Sequence, residues 1–221
     1  MAHHKLERFA ENLTFKNLFQ IGYEQLMQEG FVYKGKWGQW FGNANPITLE
    51  LGCGKGDYTI ALARLHPECN YVGFDIKGAR LWRGAKTATE ENMGNVAFVR
   101  TRIEMIASFF GKEEVGEIWI TFPDPQPKKP QKRLTSERFL SYYRPLLKAG
   151  APIHLKTDSQ ELYNYTMDEV IRPANYEVEY HTADLYADEI YQGEAKLTQT
   201  FYERMFLAEG KPITYIKFRI K

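Results

Sequence analysis

The residues best suited to chemistry gather in two short stretches. The first is Leu49-Glu50-Leu51-Gly52-Cys53-Gly54-Lys55-Gly56-Asp57. Its glycines let the backbone turn sharply and let a ligand approach without meeting a Cβ. It stands where a strand runs into a helix, the place where open α/β sheets bind ligands. A dinucleotide fingerprint reads G-x-G-x-x-G; here Gly52, Gly54 and Gly56 give G-x-G-x-G, and Glu50 lies inside the strand end. An acid there repels a pyrophosphate and suits a cationic or hydroxyl-rich ligand. The next strand ends in Phe74-Asp75, close to the ~20-residue spacing that brings a carboxylate to ribose hydroxyls. A bare tight turn would explain the glycines alone; with Glu50 and Asp75 added, the pattern points to a nucleoside. Lys55 and Cys53 read as loop residues without chemistry, since Cys53 lacks a histidine partner in sequence for nucleophilic work.

The second stretch is Ile118-Trp119-Ile120-Thr121-Phe122-Pro123-Asp124-Pro125, followed by Gln126-Pro127-Lys128-Lys129-Pro130-Gln131-Lys132-Arg133. The prolines fix the backbone on either side of Asp124 and hold its carboxylate at the strand's C-terminal end. Alone, Asp124 would pass for an ordinary turn residue. A charge run is usually a solvated face, but Lys128, Lys129, Lys132 and Arg133 lie on the functional edge. Phosphate contacts from such cations position a nucleic acid without reading its sequence.

Positioning these stretches requires a rhythmic scaffold, and the chain has one from residue 46 onward. Strand-type runs occur at Ile47–Leu51 and at residues 71–76, 96–99, 118–122 and 153–155. Helix-length segments alternate with them at residues 57–66, 79–91, 103–110, 136–147 and 161–171. That alternation predicts a doubly wound, mostly parallel α/β sheet with helices on both faces. Two last strand-like runs, at 176–181 and 214–220, have no crossover helix beside them and predict an antiparallel edge hairpin. The domain spans expected are an N-terminal extension over 1–45 and a catalytic domain over 46–221.

Composition excludes several other classes. With 221 residues, 43% hydrophobic, 26% charged and 14% aromatic, the chain can bury a sizeable core and is not disordered. No run approaches the roughly 20 apolar residues of a membrane span. The start lacks the apolar core of a secretory signal, and two cysteines cannot build a disulfide scaffold; a cytoplasmic location is expected. The 29 basic and 28 acidic residues leave a net charge of +1, so any polyanion must be bound through a local patch.

A nucleoside with a positive amino-acid tail is what S-adenosylmethionine offers, and the glycine loop with its acids resembles the class I S-adenosylmethionine-dependent methyltransferases. That resemblance implies a seven-stranded Rossmann-like sheet. From about Ile47 onward the sequence also resembles the bacterial single-subunit tRNA (guanine-N7-)-methyltransferases. The most specific match is Phe122-Pro123-Asp124-Pro125-x-Pro127-Lys128-Lys129 with Lys132-Arg133-Leu134; His154-Leu155-Lys156-Thr157-Asp158 and Thr200-Phe201-Tyr202-Glu203-Arg204 match further segments. Family members usually carry tryptophan where Gln126 stands and an Arg-His pair near Pro130-Gln131, and the loop here is shorter. The resemblance implies transfer of a methyl group to guanine N7 in tRNA, at guanosine-46 of the variable loop. It also implies that Glu50, Gly52, Gly54, Gly56, Asp75 and Asp124 hold the cofactor, with Asp124 beside the reaction. Arg102 occupies a cofactor position that is often acidic, leaving backbone groups of residues 101–103, or Glu104, for the adenine. Lys128, Asp158, Thr200 and Glu203 would meet the guanine or its nucleotide, and Lys129, Lys132 and Arg133 the RNA. Competing readings are a helix N-cap for Asp158 and a surface ion pair for Glu203.

Guanine N7 is unprotonated at neutral pH, so the acids are expected to position and stabilise rather than shuttle a proton. No His, Cys or carboxylate cluster has metal-ligand spacing, and no metal is expected. Lys34, Lys36, Trp37, Trp40 and Phe41 either embrace RNA or cover the sheet edge as core, the second reading being preferred. A monomer or homodimer acting on tRNA, without a membrane, is the resulting expectation. The rival functions are methylation of a small molecule or protein, a catalytically silent RNA-binding module, and a nicotinamide oxidoreductase, which the glycine spacing disfavours.

Overall fold

The structure is a computed structural model that describes residues 2–220; Met1 and Lys221, the outer ends of the two expected spans, lie outside it. Among the described residues, eight strands form one sheet: β1 (Leu18–Phe19), β2 (Ile47–Leu51), β3 (Asn70–Asp75), β4 (Val96–Arg100), β5 (Glu117–Thr121), β6 (Ile153–Thr157), β7 (Glu177–Thr182) and β8 (Thr214–Arg219). Their order is β1-β4-β3-β2-β5-β6-β8-β7. β1 to β6 are parallel, and β8 runs antiparallel between β6 and β7. The sheet has one strand more than the seven expected. Leu18 and Phe19 pair with Phe98 and Val99 at the β4 edge, and a two-residue strand carries no alternation to read.

Side chains alternate across the sheet, as a period of two demands. Val72, Phe74, Ala97, Val99, Ile118 and Ile120 face one core, while Tyr71, Val96, Phe98 and Trp119 face the other. The N-terminal aromatics join the first core, as the covering reading expects. Trp37 is fully buried, stacks on Phe110 with centroids 5.3 Å apart, and donates its indole N–H to the Phe109 carbonyl at 2.9 Å. Glu114 accepts from the N–H groups of Gly35, Trp37 and Gly111 at 2.9, 3.0 and 2.8 Å. Lys34 and Lys36 remain exposed.

Helices Asp57–Leu65 and Gly78–Glu90 make the first two crossovers. The segment expected as a helix over 103–110 is a 3₁₀ turn, Ile103–Ser108. Helix Glu137–Tyr143 stops short of 147 because Arg144 precedes Pro145. The helix expected over 161–171 is α-helical over Gln160–Tyr165 and then widens into a π-helical stretch, Thr166–Ile171. No helix among the described residues is long and apolar enough to cross a membrane. The chain builds β2, β3 and β4 outward, then returns to the other side of β2 for β5 and β6. The strand order therefore reverses between β2 and β5, and the crevice at their carboxyl ends is where the chemistry-bearing stretches arrive.

Candidate active site

On the β2 side the glycine loop is fastened to the end of β3. Gly52 and Cys53 both donate their N–H groups to the Phe74 carbonyl, at 2.8 and 3.0 Å. Asp75 accepts from the Gly54 N–H at 2.9 Å with one oxygen and from the Lys77 N–H at 2.7 Å with the other. One carboxylate thus ties two loops together. Gly56 has φ +74°, and a Cβ there would lie 2.6 Å from the Phe98 ring, so packing and backbone both require glycine.

Glu50 is 4% exposed and links three elements. It accepts from the Thr59 N–H at 2.8 Å, from the Thr59 hydroxyl, and from the Thr121 hydroxyl at 2.7 Å. Burial raises its pKa to about 7, although these hydrogen bonds favour the ionised form. Neither Thr59 nor Thr121 stands out in the sequence as a partner of Glu50.

On the β5 side the turn is strained. Phe122 and Gln126, flanking Pro123-Asp124-Pro125, have φ of 47° and 46°, a left-handed conformation costing on the order of 1–3 kcal/mol for such residues. Phe122 is anchored by its N–H, which donates to the Lys156 carbonyl at 2.8 Å. Asp124 is exposed and accepts from the Gln126 N–H at 3.0 Å. A cleft of about 580 Å³ separates the two sides, lined by Gly52, Asp75, Arg102, Ile103, Asp124 and Lys132. A smaller pocket of about 80 Å³ adjoins it, with Glu50, Gly54, Thr121 and Thr200 in its wall. The two share Gly52, Arg80 and Phe122.

The other expected site residues are placed unequally. Lys128 and Lys129 are exposed on the loop beyond the cleft lining, and Lys132 is exposed while facing it. Arg133 differs from the free cation expected: its side chain is 3% exposed. It donates to the Pro125 carbonyl at 2.9 Å, pairs with Glu161, and stands 4.4 Å from the Tyr165 ring centroid. Arg133 therefore braces the loop. Asp158 is half-buried at the end of β6. It is not the N-cap: Ser159 is, accepting from the Leu162 N–H at 3.2 Å.

Thr200 and Glu203 form a capping box at the start of helix Phe201–Ala208, each side chain accepting from the other's backbone N–H at 3.1 and 3.2 Å. Glu203 is not a surface ion partner. It is fully buried, 2.6 Å from the Lys156 ammonium, and accepts from the Tyr186 hydroxyl at 2.6 Å. Lys156, also fully buried, donates to the carbonyls of Ala195 and Thr198. Burial lowers its pKa to about 8, and Glu203 opposes that shift. Lys156 lies in a strand whose residues are all buried, and sequence reasoning read it only as part of a motif. Arg80, also missed, does leave a signal: Lys77, Arg80 and Arg83 recur at a helical spacing of three.

These features fit a nucleoside with a cationic tail: a carboxylate at the end of β3, a Cβ-free turn beside it, and a cleft of ligand size. Comparison with known proteins narrows the identity. The family model described as "Putative methyltransferase" matches residues 44–216. A tRNA (guanine-N(7)-)-methyltransferase of Christiangramia forsetii is 51% identical over 98% of both chains. One of Bacteroides thetaiotaomicron is 46% identical over the whole of this chain and 87% of that one. The crystal structure of the 16S rRNA methyltransferase KamB superposes with a TM-score of 0.66 at 17% identity, covering 88% of this chain and 95% of that one, which shows a shared fold. On its sequence, the chain belongs to the tRNA (guanine-N7-)-methyltransferase family.

Proposed function

We propose that this protein methylates N7 of a guanine in tRNA, namely guanosine-46 of the variable loop, in the cytoplasm. In this reading residues 46–221 are the methyltransferase domain and residues 1–45 its extension. S-adenosylmethionine supplies the methyl group from its sulfonium centre. Asp75 would receive the ribose hydroxyls of that cofactor, and the bare α-carbons of the glycine loop would let its tail lie close to β2. The observation that carries the reading is Asp124, whose open carboxylate is held at the cleft rim opposite Asp75 by a strained Pro-Asp-Pro turn.

The acceptor nitrogen already has its lone pair exposed, so no residue must remove a proton first. Positive charge appears on the purine as the bond forms. Asp124 and Asp158, at the ends of neighbouring strands, supply fixed negative charge there and accept from the base's N–H groups. Lys128, Lys129 and Lys132 meet phosphates and bring the nucleotide into register. Thr200 and Glu203 set the helix Phe201–Ala208 beside the glycine loop. Incubation with labelled cofactor and bulk tRNA, followed by borohydride reduction and aniline cleavage, tests the reading. Cleavage should map to position 46; label elsewhere, or none, would contradict it.

A further inference from the structure

Beyond the small pocket lies a third cavity, a groove of about 500 Å³ on the outer face of the crossover helices. It shares Lys55 and Asp57 with the small pocket, which in turn shares Gly52, Arg80 and Phe122 with the main cleft. The three cavities therefore adjoin in series, each sharing wall residues with the next. The groove is lined by Arg64, Arg83 and Arg204 as well as Lys55, with Phe201 at its edge.

Its charges are unequally engaged. Arg64 is paired with Glu91, and Asp57 is a second acid in the wall. Arg83 is steadied by the Thr87 hydroxyl, 2.8 Å away, with Glu90 only at 3.9 Å. Arg204 donates to the Gln199 carbonyl at 3.0 Å, and Lys55 stands 5.3 Å from the Phe201 ring centroid. None of these last three cations makes a close pair with a carboxylate among the described residues. Helix Phe201–Ala208 adds exposed rings on both sides of this boundary: Phe201, 49% exposed, lines the groove, and Tyr202, 43% exposed, lines the adjoining small pocket. The buried Lys156–Glu203 pair and the capping box hold that helix in place. Exposed rings beside steadied cations are what a nucleic acid needs, since rings stack on splayed bases and cations meet phosphates.

We propose that this groove is a second RNA-binding surface, on the opposite side of the glycine loop from the Lys128–Lys132 loop. It takes the ribose-phosphate backbone flanking the target guanosine on Lys55, Arg83 and Arg204, with an adjacent base stacked on Phe201 or Tyr202. The inference rests on the tRNA reading above. Helix Phe201–Ala208 and the 128–133 loop are then two jaws with the reaction cleft between them.

The test compares the intact protein, Arg83→Ala/Arg204→Ala, Arg83→Lys/Arg204→Lys and Phe201→Ala/Tyr202→Ala. Affinity for unmodified tRNA is measured against salt, S-adenosylhomocysteine binding by calorimetry, and 7-methylguanosine formation by cleavage. The double alanine variant should lose about tenfold in tRNA affinity, and its log–log salt slope should fall by about 1 per lost phosphate contact. S-adenosylhomocysteine binding should be unchanged, and the lysine variant should retain the slope. The aromatic variant should lose about tenfold in affinity with little change of slope. Undiminished affinity and slope in the double alanine variant, with the intact protein forming 7-methylguanosine, would overturn this inference alone. Failure of the intact protein to form it would overturn the function on which the inference rests.

Discussion

Glu50 and Asp124 come from neighbouring strands and line adjoining pockets, yet their surroundings differ. Glu50 is buried and receives three hydrogen bonds from Thr59 and Thr121, so its oxygens join β2, β5 and the first crossover helix. Glu203 repeats the pattern, with Lys156, Tyr186 and the Thr200 N–H around it. Asp124 instead is exposed and receives one backbone N–H, and Asp158 is half-buried and leaves helix capping to Ser159. The two glutamates hold protein to protein. Asp124 keeps an oxygen free at the cleft, while Asp158 lies outside the residues that line it. Acids that look alike in a motif thus divide between those tied into the walls and those left less engaged.

That division can be broken most forcefully at Lys156. Replacing it with alanine leaves the Glu203 carboxylate buried without its cation, and unfolding in urea should show a loss of about 3–5 kcal/mol. A loss below about 1 kcal/mol would mean the pair does not hold the helix. Asp124→Ala should do the opposite, leaving stability within about 0.5 kcal/mol of the parent while single-turnover methylation falls roughly 10²–10³-fold. Retained activity would remove Asp124 from the site.

Glu50 sharpens the contrast through pH. Its folded pKa of about 7 lies above the ordinary 4.5, so between those values the folded state binds more protons than the unfolded state. This group therefore lowers stability as pH rises from about 4.5 to 7 and adds no further change above, an effect of about 3 kcal/mol at most. Glu50→Gln should flatten the dependence of unfolding free energy on pH across that window; an unchanged slope would show that Glu50 is not the titrating group. The smallest effect is expected at the exposed lip. Lys128→Ala should reduce the salt slope of tRNA binding by about 1 and leave the melting temperature alone. By contrast Arg133→Ala should lower the melting temperature, because that side chain ties the loop to Pro125 and Glu161.

Much of this is legible in the sequence alone. Alternating strands and helices, the Gly52-x-Gly54-x-Gly56 loop, Asp75 and the Pro-Asp-Pro turn are local patterns, because backbone sterics and a period of two or 3.6 act over a few residues. They placed the parallel sheet, the edge hairpin and the cleft. Tertiary structure alone decided the rest. Contact between residues far apart in the chain determined that Lys156 meets Glu203, that Thr59 and Thr121 meet Glu50, and that Arg133 turns inward beside Tyr165. Desolvation followed from those contacts, and with it the pKa values near 7 and 8. Sequence determined which groups could carry charge; burial, which depends on the whole fold, decided which of them remain open to a ligand.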